Sequence, residues 1–90
     1  MPMKPVRIRP PRQSPFVAGS RYRVRRDFKA LRDTFAAGEE LTYDSEAYSL
    51  YDGLTGYFFS QPGTAQRRSW DISDRDDLEI WRELFEEFSG

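Results

Sequence analysis

Apolar positions along the chain follow two rhythms. Between residues 20 and 72 they recur mostly at every second residue, the period of strands; beyond residue 74 they recur at every third or fourth, the period of a helix. The first run, residues 20–28 (SRYRVRRDF), sets Tyr22, Val24 and Phe28 on one face and Arg21, Arg23 and Arg25 on the other. Arg26 falls on the apolar face, so it is expected near a rim, where its stem packs and its head stays wet. Residues 29–37 then read as a long connection with room for a turn of helix, with Leu31 and Phe35 covering one end of the core.

The stretch 38–60 (GEELTYDSEAYSLYDGLTGYFFS) organises the rest, for it holds four of the five tyrosines. Gly38 is expected at positive φ. Residues 39–44 read as the second strand, with Leu41 and Tyr43 inward, and 45–53 as a polar link ending in the Asp52-Gly53 turn signal. Residues 54–60 form the third strand, with Leu54, Gly56 and Phe58 on one side and Thr55, Tyr57 and Phe59 on the other. Apolar groups on both sides predict a strand covered on both, and Gly56 is expected to mark a bulge or a bend. A turn at Pro62-Gly63 leads to a fourth strand over 67–72, with Trp70 and Ile72 on one face.

The spacing of Leu78, Trp81, Leu84, Phe85 and Phe88 predicts an amphipathic helix over 74–88, capped by Ser73 and opened by Asp74, Asp76, Asp77 and Glu79. Glu83, Glu86 and Glu87 crowd its unfavourable end, so packing and not propensity would have to hold it. At the other terminus, residues 1–19 contain all but one of the six prolines and read as a flexible, basic Pro/Arg-rich arm. Phe16 and Val17 are its candidates for contact with a body spanning 20–90.

Ninety residues make one domain, and a chain so short buries only about 60–65% of its extended surface, so its seven Phe, five Tyr and two Trp are needed in the core. The chain has no cysteine and no histidine. That removes disulfides, thiolate metal sites, the commonest general base and the commonest metal ligand together. No apolar run approaches the ~20 residues of a membrane span, and a cytoplasmic location with no membrane partner is expected.

The net charge of −1 hides a division: residues 1–26 hold eight bases and no acid, whereas 27–90 hold six bases and all fifteen acids. A basic arm on an acidic body points to tail-to-body contact, self-association or a polyanion partner. Asp71, Asp74, Asp76, Asp77 and Glu79 do not follow the spacing of a calcium loop, and helix capping accounts for them. Neither a phosphate-cradling glycine loop nor a nucleophile elbow is present, and nothing distinguishes Glu46 and Asp52 as an acid–base pair.

The Tyr-Arg-Val strand ending in Asp27-Phe28, the segment Phe35 to Tyr43 through Gly38-Glu39, and Tyr48-Ser-Leu-Tyr51-Asp52-Gly53 followed by Tyr57-Phe58-Phe59 together resemble SH3-like small barrels. More narrowly they resemble a group of uncharacterised bacterial domains of that kind. The resemblance covers about residues 20 to 88 and implies a fold, not an activity. The expected architecture is mainly β: a small barrel or curled antiparallel sheet of four or five strands, with one C-terminal helix.

The expected function is that of a small noncatalytic protein-binding module, an adaptor or accessory subunit without cofactor or metal. Tyr48 and Tyr51 in the link are its candidate contacts, Tyr43 and Tyr57 being assigned to packing. Nucleic acid is the alternative partner, read by the arm with Arg21, Arg23 and Arg25, although the acidic body would repel it. An acidic inhibitor or antitoxin-like protein is a third reading.

Overall fold

The computed structural model describes residues 13–88. Among the described residues there are seven strands: β1 (Arg21–Val24), β2 (Phe28–Lys29), β3 (Thr34–Phe35), β4 (Glu40–Ser49), β5 (Leu54–Ser60), β6 (Arg67–Ser73) and β7 (Phe85–Phe88). A 3-10 turn (Leu78–Ile80) and a single α turn, α1 (Trp81–Leu84), precede β7. Five strands form one antiparallel sheet in the order β6-β5-β4-β1-β7, and β2 pairs with β3 as a separate hairpin. No ladder joins β6 to β7, so the sheet is curled and open, not a closed barrel. The edge of β6 instead meets the β2–β3 hairpin, where the Ser69 amide donates to the Asp33 carboxylate at 3.1 Å.

The long C-terminal helix is replaced by these two short turns and a strand. Phe85 takes extended backbone, and β7 lies along the open side of β1, placing Glu86 opposite Arg23. Pairing with β1 satisfies a row of backbone groups and matches Arg against Glu, and this outweighs the helical spacing. The stripe still faces inward: Leu84 and Phe85 are core residues, and Leu78 and Trp81 pack against them. Asp77, not Ser73, caps the turn by accepting the Glu79 amide at 3.0 Å.

Two further segments depart from expectation. Residues 29–37 contain no helix; they are the hairpin, its Phe28 and Phe35 rings stacked with centroids 4.8 Å apart. Phe35 is buried, but Leu31 sits at the hairpin tip, 68% exposed, and covers no core. Strand β4 runs through most of the supposed link, because the register slips between Tyr43 and Ser45 and pairing with β5 then continues to Ser49. The bulge is therefore there and not at Gly56, which pairs regularly with Ala47 and Asp71. Gly38, Gly53 and Gly63 hold φ of 91°, 63° and 82° at the turns, a region glycine enters without strain.

The core lies on the concave face of the sheet, and Phe16 occupies its middle. This ring, 5% exposed, has centroid distances of 5.1 to 5.9 Å to Tyr22, Tyr43, Tyr57, Phe59, Trp70, Trp81 and Phe85. Most of these contacts are edge-to-face, the arrangement that ring quadrupoles favour. Its segment is tied down on both sides: the Val17 amide donates to the Tyr22 hydroxyl at 2.8 Å, and the Gly19 amide to the Tyr43 carbonyl at 2.9 Å. Val17 points outward.

A second anchor is polar. Arg68 shares the inner face of β6 with Trp70 and Ile72 and is 5% exposed. Its guanidinium donates to Asp33 (2.9 Å), Glu39 (2.7 Å) and the Thr34 carbonyl (2.6 Å), and lies 4.7 Å from the centroid of the Phe35 ring. Burial alone would raise the Asp33 pKa, but Arg68 and the amides of Ser69 and Thr34 outweigh it and hold the carboxyl below its usual range. The Arg68 hydrogen bond likewise lowers Glu39 against the effect of burial.

Both folded pKa values lie below the unfolded ones, so these carboxylates contribute stability that is complete above the unfolded values and drains away as pH falls through the folded ones. The free energy of unfolding is therefore expected to be level above about pH 5 and to decline below about pH 4. Arg68→Met should lower the plateau by about 2–4 kcal/mol, because two carboxylates lose their cation, and should remove most of the acid decline. Urea unfolding across that pH range tests this, and parallel curves for the two proteins would contradict it.

Candidate binding surface

The hairpin tip stands over the outer face of β5 and β6, fastened by one fork. Arg32 Nε and Nη2 donate to the two oxygens of Asp71 at 2.9 and 2.7 Å, and Nη2 also donates to Ser69 Oγ at 3.1 Å. The Asp71 side chain is largely buried beneath it, and the paired carboxylate raises the Arg32 pKa further. Gly56 makes room, since a Cβ there would lie 2.9 Å from Asp71 Oδ1 and 3.2 Å from Arg32 Nη2. The guanidinium groups of Arg32 and Arg67 lie 5.9 and 5.0 Å from the Phe58 ring centroid. That is how the outer side of β5 is covered.

This clamp leaves a hollow on each side of Leu31. One, of about 400 Å³, is floored by Ala47, Leu54, Gly56 and Phe58 and bordered by Tyr48, Asp52 and the Arg32–Asp71 pair. The other, of about 570 Å³, lies between the hairpin and the 3-10 turn. Its apolar lining comes from Phe28, Ala30, Trp70, Ile72, Ile80 and Leu84, and its polar rim from Asp71, Asp76, Asp77, Arg26 and Lys29. Leu31, Leu54 and Asp71 line both. The rim is therefore mixed in sign: Asp76 and Asp77 stand with Arg26 and Lys29, and Asp71 is already paired with Arg32.

The β4–β5 turn continues this surface. Tyr51 is 100% exposed and Leu50 69%, yet their backbone is firmly held. The Gly53 amide donates to the Ser49 carbonyl at 2.8 Å, the Asp74 amide to the Gly53 carbonyl at 2.8 Å, and the Tyr48 hydroxyl to Asp74 Oδ2 at 2.7 Å. That last bond raises the Tyr48 pKa and keeps the phenol protonated. Tyr48 is thus a strand residue engaged within the chain, whereas Tyr51 projects freely into solvent. Tyr43 and Tyr57 are buried among the core rings.

The arginines of β1 lie elsewhere. Arg21 is opposite Thr42, so Tyr48 stands six positions farther along β4, about 20 Å away at strand rise. Arg23 lies 3.8 Å from Glu40, 3.6 Å from Glu86 and 4.5 Å from the Phe88 ring centroid. Arg25 donates to the Arg82 carbonyl at 3.0 Å. The tyrosines and the arginines therefore form two surfaces, not one. Among the described residues, no three His, Cys, Asp or Glu side chains are grouped to hold a metal, and no helix is long and apolar enough to cross a membrane.

Sequence reasoning missed Leu31, Ile80 and the Arg32–Asp71 fork. A signal was present: Phe28 and Phe35 flank KALRDT symmetrically, as a short hairpin with one apolar residue at its tip does.

No protein-family model matches the chain, and no curated protein does. Among solved structures, it is similar to an integron cassette protein from the mobile metagenome of Vibrio cholerae. The two share 22% sequence identity and a TM-score of 0.65, over 79% of this chain and 83% of that one. The likeness shows a common fold: a small β-rich domain found in a bacterial cassette protein.

Replacing Gly56 by Ala should push Asp71 aside and open the Arg32 fork, at a cost of about 1–3 kcal/mol. Leu31→Ser and Tyr51→Ser, which touch no core, should stay within about 0.5 kcal/mol of the parent. Chemical denaturation of the three variants distinguishes a built clamp from incidental contact, and a neutral Gly56→Ala would contradict it.

Proposed function

We propose that this chain is a noncatalytic protein-binding module on an SH3-like scaffold. The strand order, with the last strand returning beside the first and a short hairpin set against the sheet, supports the scaffold. Fold alone assigns no activity, so the reading rests on the surface. The observation that carries it is Leu31: a large apolar side chain held out in water beside an ion pair whose carboxylate is buried, between two apolar-floored hollows. A monomer spends nothing to hide such a residue, and fixing it in place favours a partner that covers it. Leu50 and Tyr51 extend the same exposed surface past the rigid turn, and tyrosine loses little entropy on contact.

An adaptor or accessory subunit uses such a surface to seat a segment of another protein. The pairing of Arg23 with Glu40 and Glu86 favours this over nucleic acid, since that cation is answered within the chain.

Affinity capture from the native host with the parent and with Leu31→Ser/Tyr51→Ser tests the reading. A protein recovered with the parent and absent with the double variant is the expected result. Recovery of bait alone, or the same partners with both baits, would overturn it.

A further inference from the structure

The cleft between the hairpin and the 3-10 turn is divided in sign. Arg26 and Lys29, which lead into the hairpin, supply its cations; Asp76 and Asp77, which open the turn, supply acids on the opposite wall. All four are exposed. Among the described residues, Arg26, Lys29 and Asp77 take part in no ion pair, so the two walls do not answer one another. Asp77 is nevertheless fixed in place, accepting the Glu79 amide at 3.0 Å. Beside the cleft Leu31 stands out, 68% exposed, and Ile80 lines the far wall, 36% exposed. An apolar knob next to an apolar hollow, and a cationic wall opposite an acidic one, make a pattern that fits itself.

A two-fold dimer joins the same patch of both protomers, so that patch is complementary to itself. With the axis along the cleft, the hairpin of each protomer faces the 3-10 turn of the other. Each Leu31 then lies against the apolar lining of the opposite cleft, and each Lys29 meets an Asp77, twice by symmetry. With the axis across the cleft, hairpin meets hairpin and cation meets cation, a juxtaposition that is costly. We infer that a second copy of this chain docks in this cleft, hairpin to turn. The net charge of −1 leaves little overall repulsion between copies. Two clefts and two hairpin tips make an interface at the small end of specific contacts, so the dissociation constant is on the order of 100 µM. A foreign segment seated on Leu31 and this dimer exclude one another.

The inference rests on the Leu31 surface being one that binds protein, but its test is separate. Sedimentation equilibrium of the full-length chain from about 10 µM to about 1 mM should show a monomer–dimer equilibrium. Over the same dilution the methyl signals of Leu31 and Ile80 should shift and that of Thr42 should not. Lys29→Glu sets acid against acid at both ends of the interface, and Asp77→Lys sets cation against cation, so each alone should weaken the dimer about tenfold or more. An equimolar mixture of the two variants should recover the parent affinity to within about threefold, because every altered charge then faces its opposite. A chain that stays monomeric to about 1 mM, unshifted Leu31 and Ile80 signals, or a mixture no tighter than either variant would each overturn the inference. If no dimer forms while Leu31→Ser/Tyr51→Ser still abolishes partner capture, the surface remains a binding surface and only the second copy as its occupant is refuted.

Discussion

A curled sheet that does not close has a concave face to fill, and Phe16 fills it. The sheet contributes Tyr22, Tyr43, Tyr57, Phe59, Trp70 and Phe85, all facing one space, and no strand supplies the group at its centre. Phe16 comes from the segment before β1 and meets those rings at 5.1 to 5.9 Å. Burying a phenylalanine side chain is worth about 1.5–3 kcal/mol by area, and a central position adds the contacts of every ring around it. In a domain whose total stability is of order 5–10 kcal/mol, a single ring of this kind decides whether the core is one packed object.

Around that core, two arginines determine what the surface looks like. Arg68 ties Asp33, Thr34 and Glu39 to β6 from inside, and Arg32 ties the hairpin tip to Asp71 from outside. Two points of attachment hold a hairpin whose own ladder is only two residues per strand and would not persist unaided. The clefts on either side of Leu31 are the direct consequence. The sheet supplies the floor of one and part of the floor of the other, and the wall they share belongs to a hairpin fixed by charge. Fold and candidate site are therefore one construction: the guanidinium groups that stabilise the hairpin also decide where an exposed leucine stands.

Much of this was legible in the residues. The alternation over β5 and β6, the inward Leu41 and Tyr43, and the glycines at the turns follow from local period and backbone freedom. The C-terminal segment was not legible, because its 3.6-residue stripe is compatible with the inward positions of Leu84 and Phe85 in either conformation. Only the distant open side of β1 decides for a strand. The second half of β4 was hidden for another reason: the bulge after Tyr43 changes the phase of the alternation, so residues 45–49 read as a link when they are a continuation. Leu31 was assigned inward because spacing from Phe35 cannot distinguish a helical turn from a hairpin tip. Tyr48 and Tyr51 were equal candidates in the sequence; the hydrogen bond between Tyr48 and Asp74, 26 residues apart, lay beyond local reading.

The charge division takes on a spatial meaning in the fold. Asp71, Asp76 and Asp77 border the cleft beside Arg26 and Lys29, while Arg23 of β1 is matched across the sheet by Glu40 and Glu86. All of it depends on the aromatic centre remaining filled. The most direct test is urea unfolding of Phe16→Ala beside Val17→Ala, whose native side chain is exposed one residue later. Phe16→Ala should lose about 3–5 kcal/mol or fail to fold, with Val17→Ala within about 0.5 kcal/mol of the parent. A Phe16→Ala protein that unfolds within about 1 kcal/mol of the parent would show that the sheet holds its shape without that ring, and would contradict the account.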